Sequence, residues 1–119
     1  MAKKIRIGID VDGTLTEYYQ FFMRLTNSFP DGKFYIITGR GEEFKRDTEN
    51  ELKLHHIKYD GIYYVDPTDW KAKGELCKKL KLNIFFEDQN EHIENIPDDV
   101  LVFRVRNDAN FKNGKWLDQ

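Results

Sequence analysis

The sequence predicts an α/β layered fold built on a mainly parallel sheet, and two observations predict it. Short runs rich in β-branched and aromatic residues alternate with longer polar–apolar mixtures at helical spacing. Acids, a hydroxyl and glycines suited to chemistry fall just after several of those short runs. In an open parallel sheet the ligand crevice lies beyond the carboxyl ends of the strands, so both patterns point to the same architecture.

Five segments read as strands. Lys4 to Val11 alternates charged and apolar residues and then turns acidic. Lys33 to Thr38, Gly61 to Val65 and Asn83 to Phe86 are short and β-prone. Val100 to Val105 follows the turn signal Pro97-Asp98-Asp99. Helical character fills the intervals. Thr16 to Ser28 sets Tyr19, Phe22 and Met23 near helical spacing, and Glu42 to His56 sets Phe44, Leu52 and Leu54 among charges. Thr68 to Leu80 offers Thr68 or Asp69 as an N-cap and repeats Ala72, Leu76 and Leu80; Asn90 to Ile96 fits one or two turns. No repeat or linker interrupts the pattern, so residues 1–119 are expected to form one domain.

Composition narrows the function classes. Hydrophobic residues at 39% and aromatics at 14% supply a core and exclude a disordered chain. Charged residues reach 34% with a net charge of -2, which gives no global field for holding nucleic acid, although a local basic patch stays open. A lone cysteine, Cys77, forms no internal disulfide and reads as a small buried hydrophobe. No apolar run crosses a bilayer, and Met-Ala-Lys-Lys leads directly into a strand, so a cytoplasmic protein without membrane partners is expected.

The chemistry starts at Asp10-Val11-Asp12-Gly13-Thr14. Period-two geometry points Asp10 and Asp12 to one side of an extended chain, and paired carboxylates need a cation or shared proton. A hard divalent ion with oxygen ligands answers that need. Gly13 lets the chain turn tightly, so that following N–H groups face an anion. An ordinary Asp-Gly hairpin turn is the bland alternative at about even odds. Thr38-Gly39 after the second strand offers a hydroxyl and a close backbone approach, or an ordinary loop start. Glu87-Asp88 after the fourth strand places acids at the same sheet edge, or caps the next turn. Lys71 or Lys73, near the start of the third long helix, can neutralise phosphate, or simply face water. Four such features in one consistent order outweigh the bland readings taken singly.

That order resembles the haloacid dehalogenase superfamily of phosphotransferases, whose four motifs run across nearly the whole chain. Asp10 to Thr14 is similar to the highly specific DxDGT motif, Thr38 to the second-motif hydroxyl, and Glu87-Asp88 to the acidic pair of the fourth. Lys73 is preferred over Lys71 for the third motif, because the stretch from Lys73 to Leu80 reads as the helix that follows that lysine. The resemblance implies a Rossmann-like three-layer sandwich with strand order 5-4-1-2-3. It implies Asp10 as nucleophile and Asp12 as acid/base, in a hydrolysis that passes through an aspartyl-phosphate. It also implies Mg²⁺ held by Asp10, the Asp12 carbonyl and Asp88. Phosphate would be held by Thr38, Lys73 and the backbone around Gly13, Thr14 and Gly39, with Glu87 orienting metal-bound water.

Between the motifs there is room for one helix, or one helix and a strand, and not for a cap domain. The implied substrate is then either a macromolecule, such as a protein or a nucleic-acid 3′-phosphate, or a small phosphomonoester such as a nucleotide. A second subunit closing the open site would suit the small one. A catalytically silent binding module is the competing class. Other residues carry weaker signals. Arg40 reads as a helix-start surface arginine before a phosphate ligand, and some of Tyr18, Tyr19, Phe21 and Phe22 must be core. His55, His56 and His92 lie too scattered for zinc, and Lys78, Lys79 and Lys81 read as a solvated face. The aromatics of the tail, Phe111 and Trp116, must pack on this domain or at a subunit contact.

Overall fold

A computed structural model describes residues 3–118. Its centre is a five-stranded sheet of β1 (Ile5–Ile9), β2 (Gly32–Thr38), β3 (Gly61–Tyr64), β4 (Ile84–Glu87) and β5 (Leu101–Arg104). The order is β3-β2-β1-β4-β5, which is the expected 5-4-1-2-3 read from the other edge. All four neighbouring pairs are parallel, with Ile7 facing both Phe34 and Ile84 across the centre. The result is a Rossmann-like three-layer fold without a cap.

Side-chain alternation sorts the core into two halves. Ile7 and Ile9 of β1 and Phe34 and Ile36 of β2 pack with Phe22 of α1 (Tyr19–Ser28) and Leu52 of α2 (Lys45–Leu54). On the other face Tyr35, Ile37 and Phe85 pack with Cys77 of α3 (Ala72–Lys79) and with Leu80 and Ile96. Burial pushes the Cys77 thiol up to about 12, so it behaves as the expected small hydrophobe. Each helix covers the strands beside it, which is why residues spaced for a helix alternate with residues spaced for a strand.

The boundaries differ from the sequence reading in instructive ways. A 3₁₀ turn, Leu15–Glu17, precedes α1, and another, Glu42–Phe44, precedes α2. The expected N-cap at Thr68 or Asp69 does not cap a helix. Asp66 accepts from the Thr68 N–H and hydroxyl at 2.9 and 2.8 Å, and Asp69 accepts from the Lys71 N–H at 3.2 Å. Those local turns hold the chain until α3 begins at Ala72. The tail was expected only to pack somewhere. It forms a hairpin, β6 (Phe111–Lys112) and β7 (Lys115–Trp116), turned at Asn113 and Gly114 in left-handed backbone. Its Trp116 ring lies 5.2 Å from Phe111 and 4.1 Å from the Arg104 guanidinium, so the tail packs on its own domain.

Two features place the sheet's chemical edge. The β1 strand ends at Ile9, and the chain folds back so that Leu15 N–H reaches the Asp10 carbonyl. Gly74, in the first turn of α3, lets the helix lie directly on the backbone after α4 (Asn90–Ile93), since a Cβ there would stand 2.1 Å from the Asn95 carbonyl oxygen. Gly74→Ala should therefore push α3 outward and cost about 1–3 kcal/mol, read by chemical denaturation.

Candidate active site

The site assembles where β1 and β4 lie side by side with helices leaving in opposite directions. Asp10 follows β1 directly, anchored by its N–H to the Phe86 carbonyl at 3.0 Å. Glu87 ends β4, and Asp88 follows it. The carboxylates of Asp10, Glu87 and Asp88 are buried, and each offers an oxygen within 4.8 Å of the others. This cluster can hold a metal ion.

One lysine enters it. Lys73 sits in the first turn of α3 with its side chain 2% exposed, and its ammonium donates at 2.7 Å to both Asp10 Oδ1 and Glu87 Oε2. Lys71, its rival in the sequence, is exposed and is not part of these contacts. Glu87 is further held by the Asp88 and Gln89 N–H groups on its other oxygen, at 3.0 and 3.2 Å. Thr14 donates its hydroxyl to Asp10 Oδ2 at 3.0 Å.

Burial and the neighbouring Glu87 charge push the Asp10 pKa well above the usual carboxylate range, against the pull of Lys73. Glu87 is pushed up by burial as well, with Lys73 opposing. Burial works against the Lys73 charge, yet the two carboxylates overcome it and raise the ammonium pKa. In formal charges three carboxylates meet one ammonium, leaving an excess of two negatives. A divalent cation among oxygen donors offsets that excess, so the donor set fits the metal.

The structure does not bring the Asp12 carboxylate into this cluster, as the period-two argument expected. The strand has ended by then, and a turn through Gly13 re-aims the chain. Asp12 is instead 64% exposed at its side chain and gripped at both oxygens by Arg40, Nη2–Oδ1 2.8 Å and Nε–Oδ2 3.0 Å. Among the described residues no hydrogen bond reaches the Asp12 main-chain carbonyl. Arg40 is thus no simple surface arginine: it also meets Glu51 at 3.2 Å and Thr48 at 3.2 Å. Its hydrogen bond to Asp12 raises its own pKa further. Burial opposes the Glu51 charge, but bonds from Tyr19 and Arg40 hold that carboxyl below its ordinary value. Tyr19 in turn stacks on His55 with ring centres 3.5 Å apart.

Gly13 adopts φ +81°, and a Cβ there would stand 2.2 Å from Asp88 Oδ2 and 2.8 Å from Asn107 Nδ2. Asn107 uses the space to donate to the Gly13 carbonyl at 2.8 Å and to Asp88 Oδ2 at 3.0 Å. Asn110 donates to the Asp88 carbonyl at 3.0 Å. The sequence reading missed both asparagines. Their signal was position, polar residues just past the fifth strand. Thr38 is buried at the tip of β2, with its hydroxyl oxygen accepting the Arg40 N–H at 3.1 Å, and Gly39 lies against Pro67. The Gly13 N–H, one of the expected anion donors, is spent on the Thr16 hydroxyl at 3.0 Å.

No family model and no curated protein sequence matches the chain. Solved structures do. A chain of the Pnkp1/Rnl/Hen1 complex aligns with TM-score 0.66 at 17% identity, covering 88% of this chain and 47% of that one. A chain of the Pnkp1/Rnl/Hen1 RNA repair complex aligns at 0.63 and 18% identity, covering 87% of this chain and 42% of that one. A universal stress protein in complex with cAMP aligns at 0.55 and 13% identity, covering 88% of this chain and 100% of that one. The chain spans less than half the length of the repair-complex chains it matches, and at these identities the likeness is one of fold.

Two predictions follow from the geometry. Lys73→Met leaves two buried carboxylates without their counter-ion and should cost about 3–5 kcal/mol near neutral pH. Chemical denaturation should show that cost shrinking in acid, as the orphaned carboxyls take up protons. His92, buried with its Nδ1 unpartnered among the described residues and its ring 4.9 Å from Trp70, has its pKa lowered by burial to about 4. The unfolded imidazole binds a proton first, so this group's contribution to stability falls as pH drops from about 6.5 toward 4. The stability difference between wild type and His92→Gln should narrow over that window.

Proposed function

We propose that the protein is a Mg²⁺-dependent phosphomonoester hydrolase of the haloacid dehalogenase type, acting through an aspartyl-phosphate on Asp10. The observation that carries the reading is the buried Asp10 at a sheet switch point, bonded to Lys73 within an acid cluster two charges in excess. Asp10, Asp88 and the Asp12 main-chain carbonyl would hold the ion. When bound, the ion would offset the negative charge of a phosphate brought beside carboxylates.

The chain's own groups supply the rest. An Asp10 carboxylate oxygen attacks phosphorus, the bond to the leaving oxygen breaks, and Asp12 gives that oxygen a proton. Water then attacks the same phosphorus, Asp12 takes its proton, and the bond to Asp10 breaks to release phosphate. Arg40 holds the Asp12 carboxylate outside the cluster, so Asp12 must leave that ion pair to take up and deliver the proton, while Thr14 and Lys73 orient Asp10. Lys73 and Thr38 favour the phosphate oxygens as charge builds on them. Glu87 serves chiefly as the second anchor of Lys73.

A small phosphomonoester such as a nucleotide is the first substrate class. A second reading, a nucleic-acid 3′-phosphate, draws on two observations. The site has no cap, and the chain shares its fold with chains of an RNA repair complex. Beside Asn107 a groove of about 290 Å³ carries the Tyr18 and Phe111 rings and the Arg106 guanidinium, with the Glu17 and Asp108 carboxylates also in its wall, so it offers a base a stacking surface and the substrate backbone no net positive charge.

The test is phosphate release from an aryl phosphate with and without Mg²⁺, followed by a panel of nucleotides and 3′-phosphorylated oligonucleotides. Asp10→Asn should abolish turnover with the fold intact by circular dichroism, and retained activity would remove Asp10 from the role. Asp12→Asn should slow turnover by about 10²–10⁴-fold. A chain inert on every substrate with Mg²⁺ present would favour a binding module.

A further inference from the structure

Of the three carboxylates in the candidate site, Asp10 and Glu87 are tied to Lys73, and Asp88 is not. Like charges in one buried cluster repel, and the acid without a counter-ion is the one that can swing away. Asp88 also lines a surface groove with Arg104, Asn110 and Leu117, so water lies within its reach. What keeps its carboxylate among the others is a clamp built from residues at and after the end of β5. Asn107 donates to Asp88 Oδ2 at 3.0 Å, and Arg104 Nε and Asn110 Nδ2 both donate to the Asp88 carbonyl, at 3.1 and 3.0 Å. The Asp88 N–H is spent on Glu87 at 3.0 Å. Among the described residues no donor reaches Asp88 Oδ1, which leaves that oxygen to a cation.

The clamp is itself braced. The Asn107 side-chain oxygen accepts the Ala109 and Asn110 N–H groups at 2.9 and 3.0 Å, and the Asn110 side-chain oxygen accepts the Asn107 N–H at 2.9 Å. With both oxygens turned into the loop, both amide NH₂ groups face away from it, to Asp88 and to the Gly13 and Val105 carbonyls. Arg104 has a different support. Its guanidinium lies 4.1 Å from the centre of the Trp116 ring and meets Asp118 at 2.6 Å. The Leu117 N–H bonds the Asn110 carbonyl at 2.8 Å, so the β6–β7 hairpin secures both donors to the Asp88 carbonyl. Among the described residues no hydrogen bond joins the hairpin strands to Asp10, Glu87 or Asp88.

We propose that the C-terminal hairpin sets the affinity of this site for its divalent cation, with Trp116 as a positioning residue that acts through Arg104 on Asp88. The proposal rests on the reading of the acid cluster as a cation site. A carboxylate held in place beforehand needs no rearrangement to bind an ion, so the clamp strengthens binding without touching the ion. Asn107 serves both segments involved, since one amide bonds the Asp88 carboxylate and the carbonyl of Gly13, next along from Asp12.

Isothermal titration of the full chain with MgCl₂ alone, without substrate, tests this. Wild type should bind, and Asp88→Asn should lose most of that binding, which locates the ion. Asn107→Ala should weaken Mg²⁺ binding about 10–100-fold, the usual cost of removing a group that orients a metal ligand. Trp116→Ala and Arg104→Met should each weaken it about tenfold, the low end of that range, while Trp116→Phe stays close to wild type. By charge alone, removing the Arg104 cation would favour Mg²⁺, so a loss in Arg104→Met reports position. Thermal melting with and without Mg²⁺ separates positioning from packing. A residue that only packs lowers both midpoints equally, whereas Trp116→Ala should also shrink the rise that Mg²⁺ brings. Should Trp116→Ala not fold, Trp116→Leu, which keeps bulk and lacks the π face, carries the same expectation. Wild-type affinity in the folded Trp116 variant or in Arg104→Met would overturn the proposal and leave the cation reading standing. No Mg²⁺ binding by the wild type, or binding that survives Asp88→Asn unchanged, would overturn both.

Discussion

One ammonium group holds the chemical end of this molecule together. Lys73 reaches from the first turn of α3 to Asp10 after β1 and Glu87 at the end of β4, and so ties one helix to the two central strands in the interior. Buried charges are expensive unless paired in good geometry. Here the geometry is good, but the count is unequal. Three acids share the space with one base, and the imbalance favours either a proton or a cation.

Around that centre the fold divides its labour by layer. The α3 side supplies Lys73 and brings it close through Gly74, where backbone meets backbone. The α2 side supplies Glu51 and Thr48, which with Tyr19 brace Arg40 against Asp12. The loop after β5 supplies Asn107 and Asn110, which fix Asp88 and Gly13. Acid and nucleophile candidates two residues apart are thus governed by different parts of the protein. Asp10 is enclosed and coupled to other buried charges, while Asp12 is exposed and held by a guanidinium.

Much of this was legible before any coordinates. Strand runs such as Ile84 to Phe86 and helix spacing such as Ala72, Leu76 and Leu80 report burial against a sheet, and burial is what a hydrophobic pattern records. The sheet order came with the resemblance carried by Asp10 to Thr14, since spacing alone does not fix which strands are neighbours. The Lys73 assignment rested on the helix that follows it, and Lys73 is the lysine the structure buries at Asp10. Three things were not legible. Where a strand ends decides which way the next carboxylate points, and a two-residue period cannot foresee the turn that sends Asp12 to Arg40. An arginine after a strand looks the same whether it meets water or, like Arg40, Thr48 and Glu51 of the next helix and Asp12 of the loop after β1. The asparagines after β5 carry no periodic signal, because their contacts are made with residues far away in the chain.

The bond from Asn107 to the Gly13 carbonyl spans 94 positions of sequence. Synthesis makes the aspartate-bearing loop 94 residues before the asparagine that braces it, so the loop stays unbraced over that interval. Local helices can form on the way out, but the loop's final shape waits for the segment after β5 to dock.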